Sequence, residues 1–383
     1  MVTRRVVQSV ILLVLPLMMS ARLLASNSYT PRYHTIAQEI LDIESGAFPV
    51  DDSMYKLLDD IIDDAKKSIG NKPLPSDKEG ARRVLGTIDA ILIKHNFIYP
   101  GKGCTIVFLR DALVPVTIEP NLLQDILNQP KNRRRKHVID ASQPIYEIDC
   151  DTTCFVYAAI GEALGLPISL VEVPRHNFIR WIFGDGSWIN WEVNYGGAVG
   201  DDIYRRAYHV SQDLCERGVY LRAMSRQEVL GYCYALRSEE FSLRKNSSAA
   251  YQDSERATEL YGRSFWGYYC LAWELATSSD PRIRNGRKAV VIAEKAAAID
   301  PSAPVLDTLA AAYAESGGFH QAVKCEKEAH RLDPCEPSYT EMIGVYTEHK
   351  TYVQYQKEKA ARGEAPDPDW RECQYRKARN QPQ

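Results

Sequence analysis

Cys150, His176 and Glu192 follow one another in the order that a thiol nucleophile site requires, with Asn194 two residues beyond the acid. In such chemistry a cysteine sulfur attacks a carbonyl carbon, an imidazole takes and returns the proton, and a third polar side chain fixes the ring. A lone cysteine is more often a small buried hydrophobe than a nucleophile. What sets Cys150 apart is its place at the start of an apolar helix, with a histidine and then an acid on the strands that follow.

The helix is predicted from spacing. Val156, Ile160, Ala163 and Leu164 recur at helical intervals, and Phe155 and Ala159 widen the apolar face. Asp149 or Asp151 supplies the cap, and Gly165 followed by Pro167 supplies the stop. Cys150 therefore falls in the first turn, where unpaired N–H groups and the positive end of the helix dipole favour a thiolate. Asp149 and Asp151 oppose that effect, so activation has to lean on an imidazolium and on the helix end. Cys154, one turn deeper, is read as packing.

Beyond the helix, Ile168 to Val173 reads as a strand, and Asn177 to Phe183 and Ser187 to Val193 flank a Gly184-Asp185-Gly186 turn. Period two puts His176, Phe178, Arg180 and Ile182 on one face, and Trp188, Asn190, Glu192 and Asn194 on one face of the returning strand. Folding about Asp185 sets His176 opposite Asn194 and diagonal to Glu192, so either can orient the imidazole. Trp181, Trp188 and Trp191 are read as core or cleft wall. The aromatic stretch after Asn194, with Tyr204, Tyr208 and His209, is placed to close over a bound substrate. No spacing argument ties His209 to the site.

These landmarks resemble the transglutaminase-like superfamily with its papain-like site, and within it the bacterial branch that carries tetratricopeptide repeats behind the core. The resemblance is carried by Cys150 ahead of a helix ending in Gly165-Leu166-Pro167, by Pro174-x-His176, by the aromatic strand with Phe178 and Trp181, and by Trp188 four residues before an acid. It implies Cys150 as nucleophile, His176 as base and Glu192 as the orienting residue, where the family more often has aspartate. The implied fold class is α+β: a papain-like core with N-terminal helices, followed by an all-α repeat domain.

The surrounding chain fits a protein with real cores. Its 383 residues allow two or three domains, and 45% hydrophobic with 25% charged residues is ordinary globular composition rather than disorder. The formal charge of -3 gives no reason to expect nucleic acid as a partner. Arg4 and Arg5 lead an apolar run from Val6 to Met19 with small residues after it, so residues 1–26 read as a secretory signal peptide or an uncleaved membrane anchor. The chain is thus expected to be exported, whether periplasmic, secreted or anchored. Export permits disulfides, yet the nine cysteines are odd in number, which leaves Cys150 as the expected free thiol. Their spacings suit no metal, and no glycine-rich phosphate loop is present, so neither metal nor cofactor is expected.

Residues 31–220 are read as the core with its N-terminal helical part. Apolar spacing predicts helices led by Ile36, Ile40 and Leu41, by Met54 to Ile62, and by Val84 to Leu92, the second capped around Asp51. Ile106 to Leu109 reads as a strand, and Leu122 to Ile126 as a short helix. The basic run Lys131 to Lys136 reads as a solvated loop. Residues 225–363 turn wholly helical with internal repetition. In Leu306 to Pro334 the residues Leu309, Ala310, Tyr313, Ala322, Ala329 and Pro334 resemble the tetratricopeptide pattern. A preceding unit repeats it with Leu271, Ala272, Leu275, Ala289, Ala293, Ala296 and Pro301, after an insertion over Ser278 to Gly286. Glu326 stands where that pattern carries a bulky apolar residue, suggesting a loosely packed or terminal pair. Residues 364–383 read as a loose tail.

Two functions follow. One is an exported cysteine enzyme acting on an amide or peptide bond of a peptide or protein by acyl transfer, as peptidase, amidase or crosslinker, its oxyanion held by helix-start N–H groups. The other is an inactive scaffold that binds a protein partner through the repeats.

Overall fold

The structure, a computed structural model, describes residues 29–70, 73–100 and 106–364. It is a mixed α+β protein with small sheets and a helical C-terminal part. The arginine-led apolar run, Cys104, Cys373 and the tail beyond Glu364 lie outside the described residues. Among the described residues no helix is long and apolar enough to cross a membrane.

Three helices come first, α1 (Ile36–Glu44), α2 (Asp52–Ile69) and α3 (Lys78–Lys94). Asp51 caps α2 by accepting from the Ser53 N–H, and Asp77 caps α3 from Gly80. A small sheet follows, formed by β1 (Phe97–Ile98), β2 (Pro115–Val116) and β3 (Ile145–Glu147), with β3 in the middle. Between these strands run α4 (Leu109–Ala112) and α5 (Pro120–Leu127).

Two expectations fail here, each because of a distant partner. Ile106 to Leu109 is not a strand: the buried Glu44 carboxyl accepts the N–H groups of Leu109 and Arg110, both at 2.7 Å, and so starts α4 from outside. Burial still pushes Glu44 up to about 8 against those two hydrogen bonds. Nor is Lys131 to Lys136 a solvated loop throughout. Arg135 is fully buried, donating from Nε to the Phe97 carbonyl at 2.9 Å and pairing with the buried Asp89. Arg134 reaches the same carboxylate, and Asn132 bonds both the N–H and the carbonyl of Tyr99. Part of the run is therefore internal scaffolding that ties α3 to β1.

The central helix α6 (Cys150–Leu164) packs on a four-stranded antiparallel sheet of β4 (Ile168–Val173), β5 (His176–Ile182), β6 (Trp188–Glu192) and β7 (Gly197–Val199), in that order. Period two sorts the sheet. Leu170, Ile179, Trp181, Ile189 and Trp191 join α6 and the N-terminal helices in one core, while Val171, Val173 and Phe178 face the other way. Completely burying a side chain such as Phe178 or Ile179 contributes about 2–3 kcal/mol. Trp188 is the exposed exception among the three tryptophans, its ring under the Arg180 guanidinium. Gly197 opens β7.

The second face is covered by α7 (Asp201–Ala207), α8 (Gln212–Glu216) and the chain to Tyr220. Then α9 (Arg226–Leu243) inserts Val229, Leu230, Cys233 and Leu236 into the main core and pairs with α10 (Ser247–Leu260). Stacked antiparallel pairs continue as α11 (Phe265–Thr277) with α12 (Gly286–Ile299), α13 (Ala303–Glu315) with α14 (Phe319–Leu332), and α15 (Pro337–Thr347) with α16 (Tyr352–Ala361). The second helices of these pairs start at equal intervals, and Ala289 with Ala322 and Ala296 with Ala329 are buried at matching positions. Glu326 is not loosely packed: it is fully buried between Ala322 and Ala329.

Candidate functional site

Asp149 opens the helix that presents the sulfur. Its carboxylate accepts from the Cys150 N–H at 2.8 Å and from the backbone of Thr152, whose hydroxyl accepts the Asp149 N–H in return. Gly165 ends the helix in the left-handed conformation, at φ 64°. Cys150 is thus in the first turn, partly exposed, with Cys154 fully buried one turn deeper.

The hairpin brings His176 and Glu192 together. Arg180 pairs with Asn190 and Ile182 with Trp188, and the same register places Asn194 opposite His176 with Glu192 on the diagonal. Asp185 closes the turn, accepting from the Ser187 N–H at 2.8 Å. The His176 Nε2 lies 2.8 Å from the Glu192 Oε2, both side chains buried. The Asn194 N–H donates to the other Glu192 oxygen at 2.9 Å, so Asn194 supports the acid through its backbone rather than holding the ring.

An acceptor-only carboxylate defines the tautomer. With Nε2–H donating to Glu192, Nδ1 is the nitrogen left as a base. Burial alone would raise Glu192, but the His176 bond and charge, the Asn194 N–H and the Tyr204 hydroxyl together hold it below the usual carboxylate range.

Tyr204 and Tyr208 enclose this pair. The Tyr204 hydroxyl donates to Glu192 at 3.0 Å, its ring stacks on Phe178 with centroids 3.9 Å apart, and Tyr208 lies parallel to the His176 ring at 5.2 Å. Stacking of this kind adds about 0.5–1.5 kcal/mol beyond area burial. From sequence, the tyrosines appear only as an aromatic stretch after the third site residue; their hydrogen bond and stacking required the return of α7 across the sheet.

The sulfur sits in a different environment. Its side-chain partner is Asp151 Oδ1 at 3.6 Å, and the Asn177 backbone N–H also meets it. No hydrogen bond joins Cys150 to His176. Burial raises the thiol well above its ordinary range, and Asp151 and then Asp149 raise it further against the Asn177 N–H. The resting group is a thiol, contrary to the thiolate that its helix position alone suggests. The N–H of Cys150 and that of Thr152 are also consumed by Asp149, so these helix-start donors are not free to hold an oxyanion.

Asp151, which the sequence offers as an alternative cap and as a perturbing charge, is not the cap but a member of the site. It accepts from Asn177 Nδ2 at 2.6 Å and from the Tyr232 hydroxyl of α9 at 3.2 Å. Burial, then Asp149, pushes it up, against the bonds from Asn177 and Tyr232 and the charge of His176. Tyr232 lies far along the chain in an all-helical stretch, and no local signal points it toward the site. His209 is exposed, with positive φ of 54°.

A surface cleft of about 1120 Å³ between Lys66, Leu74, Val84 and Leu164 opens at the other end of α6. The helix rise separates it from Cys150 by roughly 20 Å, so it does not serve the sulfur. Among the described residues no group of three or more His, Cys, Asp or Glu side chains could hold a metal ion. All seven described cysteines are unpaired. No protein-family model matches the chain, and no curated protein matches it.

Proposed function

We propose that the protein is an exported, transglutaminase-like cysteine enzyme acting on an amide or peptide bond by acyl transfer. The observation that carries this reading is the Nε2–H bond from His176 to Glu192, which leaves Nδ1 basic one residue before the Asn177 N–H that meets the sulfur. Cys150 turns from Asp151 toward Nδ1 as substrate enters; catalytic hydrogen bonds commonly tighten only in the substrate complex. His176 takes the thiol proton while sulfur bonds to the carbonyl carbon. The C–N bond then breaks, the departing amine leaves with that proton, and a thioester remains on Cys150. Water or a second amine then attacks the thioester, with His176 as base and the thiol re-formed.

In this reading α6 and the hairpin form a papain-like core, and the stacked helix pairs from α9 to α16 form a tetratricopeptide-like array for a protein partner or the substrate protein. The N-terminal run serves export or anchoring.

The alternative, an inactive scaffold binding through its array, draws on one specific observation. The thiol is held protonated by burial and two acids, and its helix-start donors are taken. The discriminating experiment labels wild type and Cys150→Ala with a peptide carrying a thiol-reactive amide analogue. Labelling of wild type that is lost in Cys150→Ala and reduced in His176→Ala supports the enzyme. Equal labelling of wild type and Cys150→Ala removes it.

A further inference from the structure

We infer that Tyr232, on the first helix of the C-terminal array, is a positioning residue of this site: it holds Asp151 against the sulfur, so that the array restrains Cys150. The inference rests on the reading of Cys150 as the nucleophile.

The geometry is a chain of contacts from α9 to the thiol, with Asp151 in the middle. Its Oδ1 lies 3.6 Å from the Cys150 sulfur and accepts from Asn177 Nδ2 at 2.6 Å, while its Oδ2 accepts from the Tyr232 hydroxyl at 3.2 Å. Donors on both oxygens fix the plane of the carboxylate and favour its charged form. Neither donor belongs to α6. The helix that carries the sulfur therefore does not by itself decide where its own acid points.

The donor on α9 is firmly placed. Tyr232 is 7% exposed, and Val229, Cys233 and Leu236 of the same helix lie in the main core. A second contact from the array backs the other donor. Tyr261, just after α10, donates to Glu172 at 2.5 Å, and Glu172 pairs directly with Asn177 across β4 and β5. The first helix pair of the array thus grips Asp151 on one side and supports the strand that grips it on the other.

The consequence for the sulfur follows from charge. An ionised Asp151 opposes a thiolate, and it adds to the burial that keeps the thiol up. The Tyr232 hydroxyl stabilises that ionised carboxylate against its own burial. The contact is therefore autoinhibitory: without the hydroxyl, Asp151 takes up a proton more readily and the thiol loses one more readily. The other titratable groups around Asp151 are Asp149 and Cys154 on its own helix, Glu172 on β4, His176 on β5 and Cys233 on α9. All of them are retained in a Tyr232 variant.

The test follows alkylation of Cys150 in the full chain by iodoacetamide from pH 6 to pH 9, read by mass spectrometry after digestion. Sulfur bonds to the methylene carbon, iodide leaves and the thiol proton passes to a base or solvent. The exposed Cys335 of the same molecule is the reference. Tyr232→Phe removes the hydroxyl and keeps the ring in the core, and Asp151→Asn removes the charge it holds.

In Tyr232→Phe the rate at pH 7 to 8 rises about three- to fivefold, and the pH–rate curve moves about half a pH unit lower. In an Asp151→Asn background the same change alters the rate less than about twofold, because no charge is left for the hydroxyl to hold. A wild-type rate and curve in Tyr232→Phe overturn the inference. So does an equal rise in the Asp151→Asn background, which marks a general loosening of the core. A Cys150 that is alkylated in none of these proteins, while Cys335 is, overturns the nucleophile reading itself.

Discussion

Asp151→Asn tests whether the resting thiol is held protonated by its neighbour. The Asp151 Oδ1 stands 3.6 Å from the Cys150 sulfur, and its charge ranks next after burial among the causes that raise the thiol. Two unit charges at such a separation interact by about 4–5 kcal/mol at an effective dielectric of about 20. Asp151 does not carry a full charge throughout, because burial and Asp149 push its own carboxyl upward. Keeping about a third of the interaction leaves roughly 1.4 kcal/mol, which is a tenfold change in thiolate population. Asparagine preserves the acceptor oxygen for Asn177 Nδ2, so the local frame survives. The assay is the rate of Cys150 alkylation by iodoacetamide at pH 7 to 8, with Cys335 as the internal reference. The expected result is an increase of about tenfold in Asp151→Asn. An unchanged or slower rate, with the same melting temperature, would refute the claim that Asp151 suppresses ionisation.

Glu192→Gln leaves one acceptor oxygen where the His176 ring, the Asn194 N–H and the Tyr204 hydroxyl now use two, and it should cost about 1.5–3 kcal/mol at neutral pH. Because the folded carboxyl is held low, its stabilisation is present above the unfolded value and is lost as pH falls through the folded one; chemical denaturation from pH 7 to pH 3 should show that loss in wild type and not in the variant. Glu326→Leu should stabilise the helical array by about 1–4 kcal/mol, since the carboxyl is fully buried and Asp307 adds to the burial that keeps it protonated. With the folded carboxyl raised above its ordinary value, wild-type stability falls as pH rises from that value, so the gain from leucine should widen between pH 5 and pH 8 in thermal unfolding. A gap that stays constant with pH would show that Glu326 does not titrate on unfolding.

Local pattern and tertiary structure divided the work in a way that particular residues make plain. The helix from Cys150 to Leu164, the Asp185 turn and the diagonal of His176 with Glu192 are legible in the sequence, because helical spacing, glycine punctuation and period-two alternation act over a few residues. The choice between Glu192 and Asn194 is not legible, since it depends on which side chain reaches Nε2 once the sheet twists. Glu44 starts a helix where the residues read as a strand, and Asp89 draws Arg135 out of a run that reads as solvated. Both cases set a distant carboxylate against a local preference, and the distant partner wins because a buried donor without an acceptor costs more than local propensity supplies. The state of Cys150 belongs to the same class. Its place at a helix start is written in the order of residues, but the charge on its sulfur was decided by Asp149 turning in as the cap and by α9 and β5 fixing Asp151 beside it.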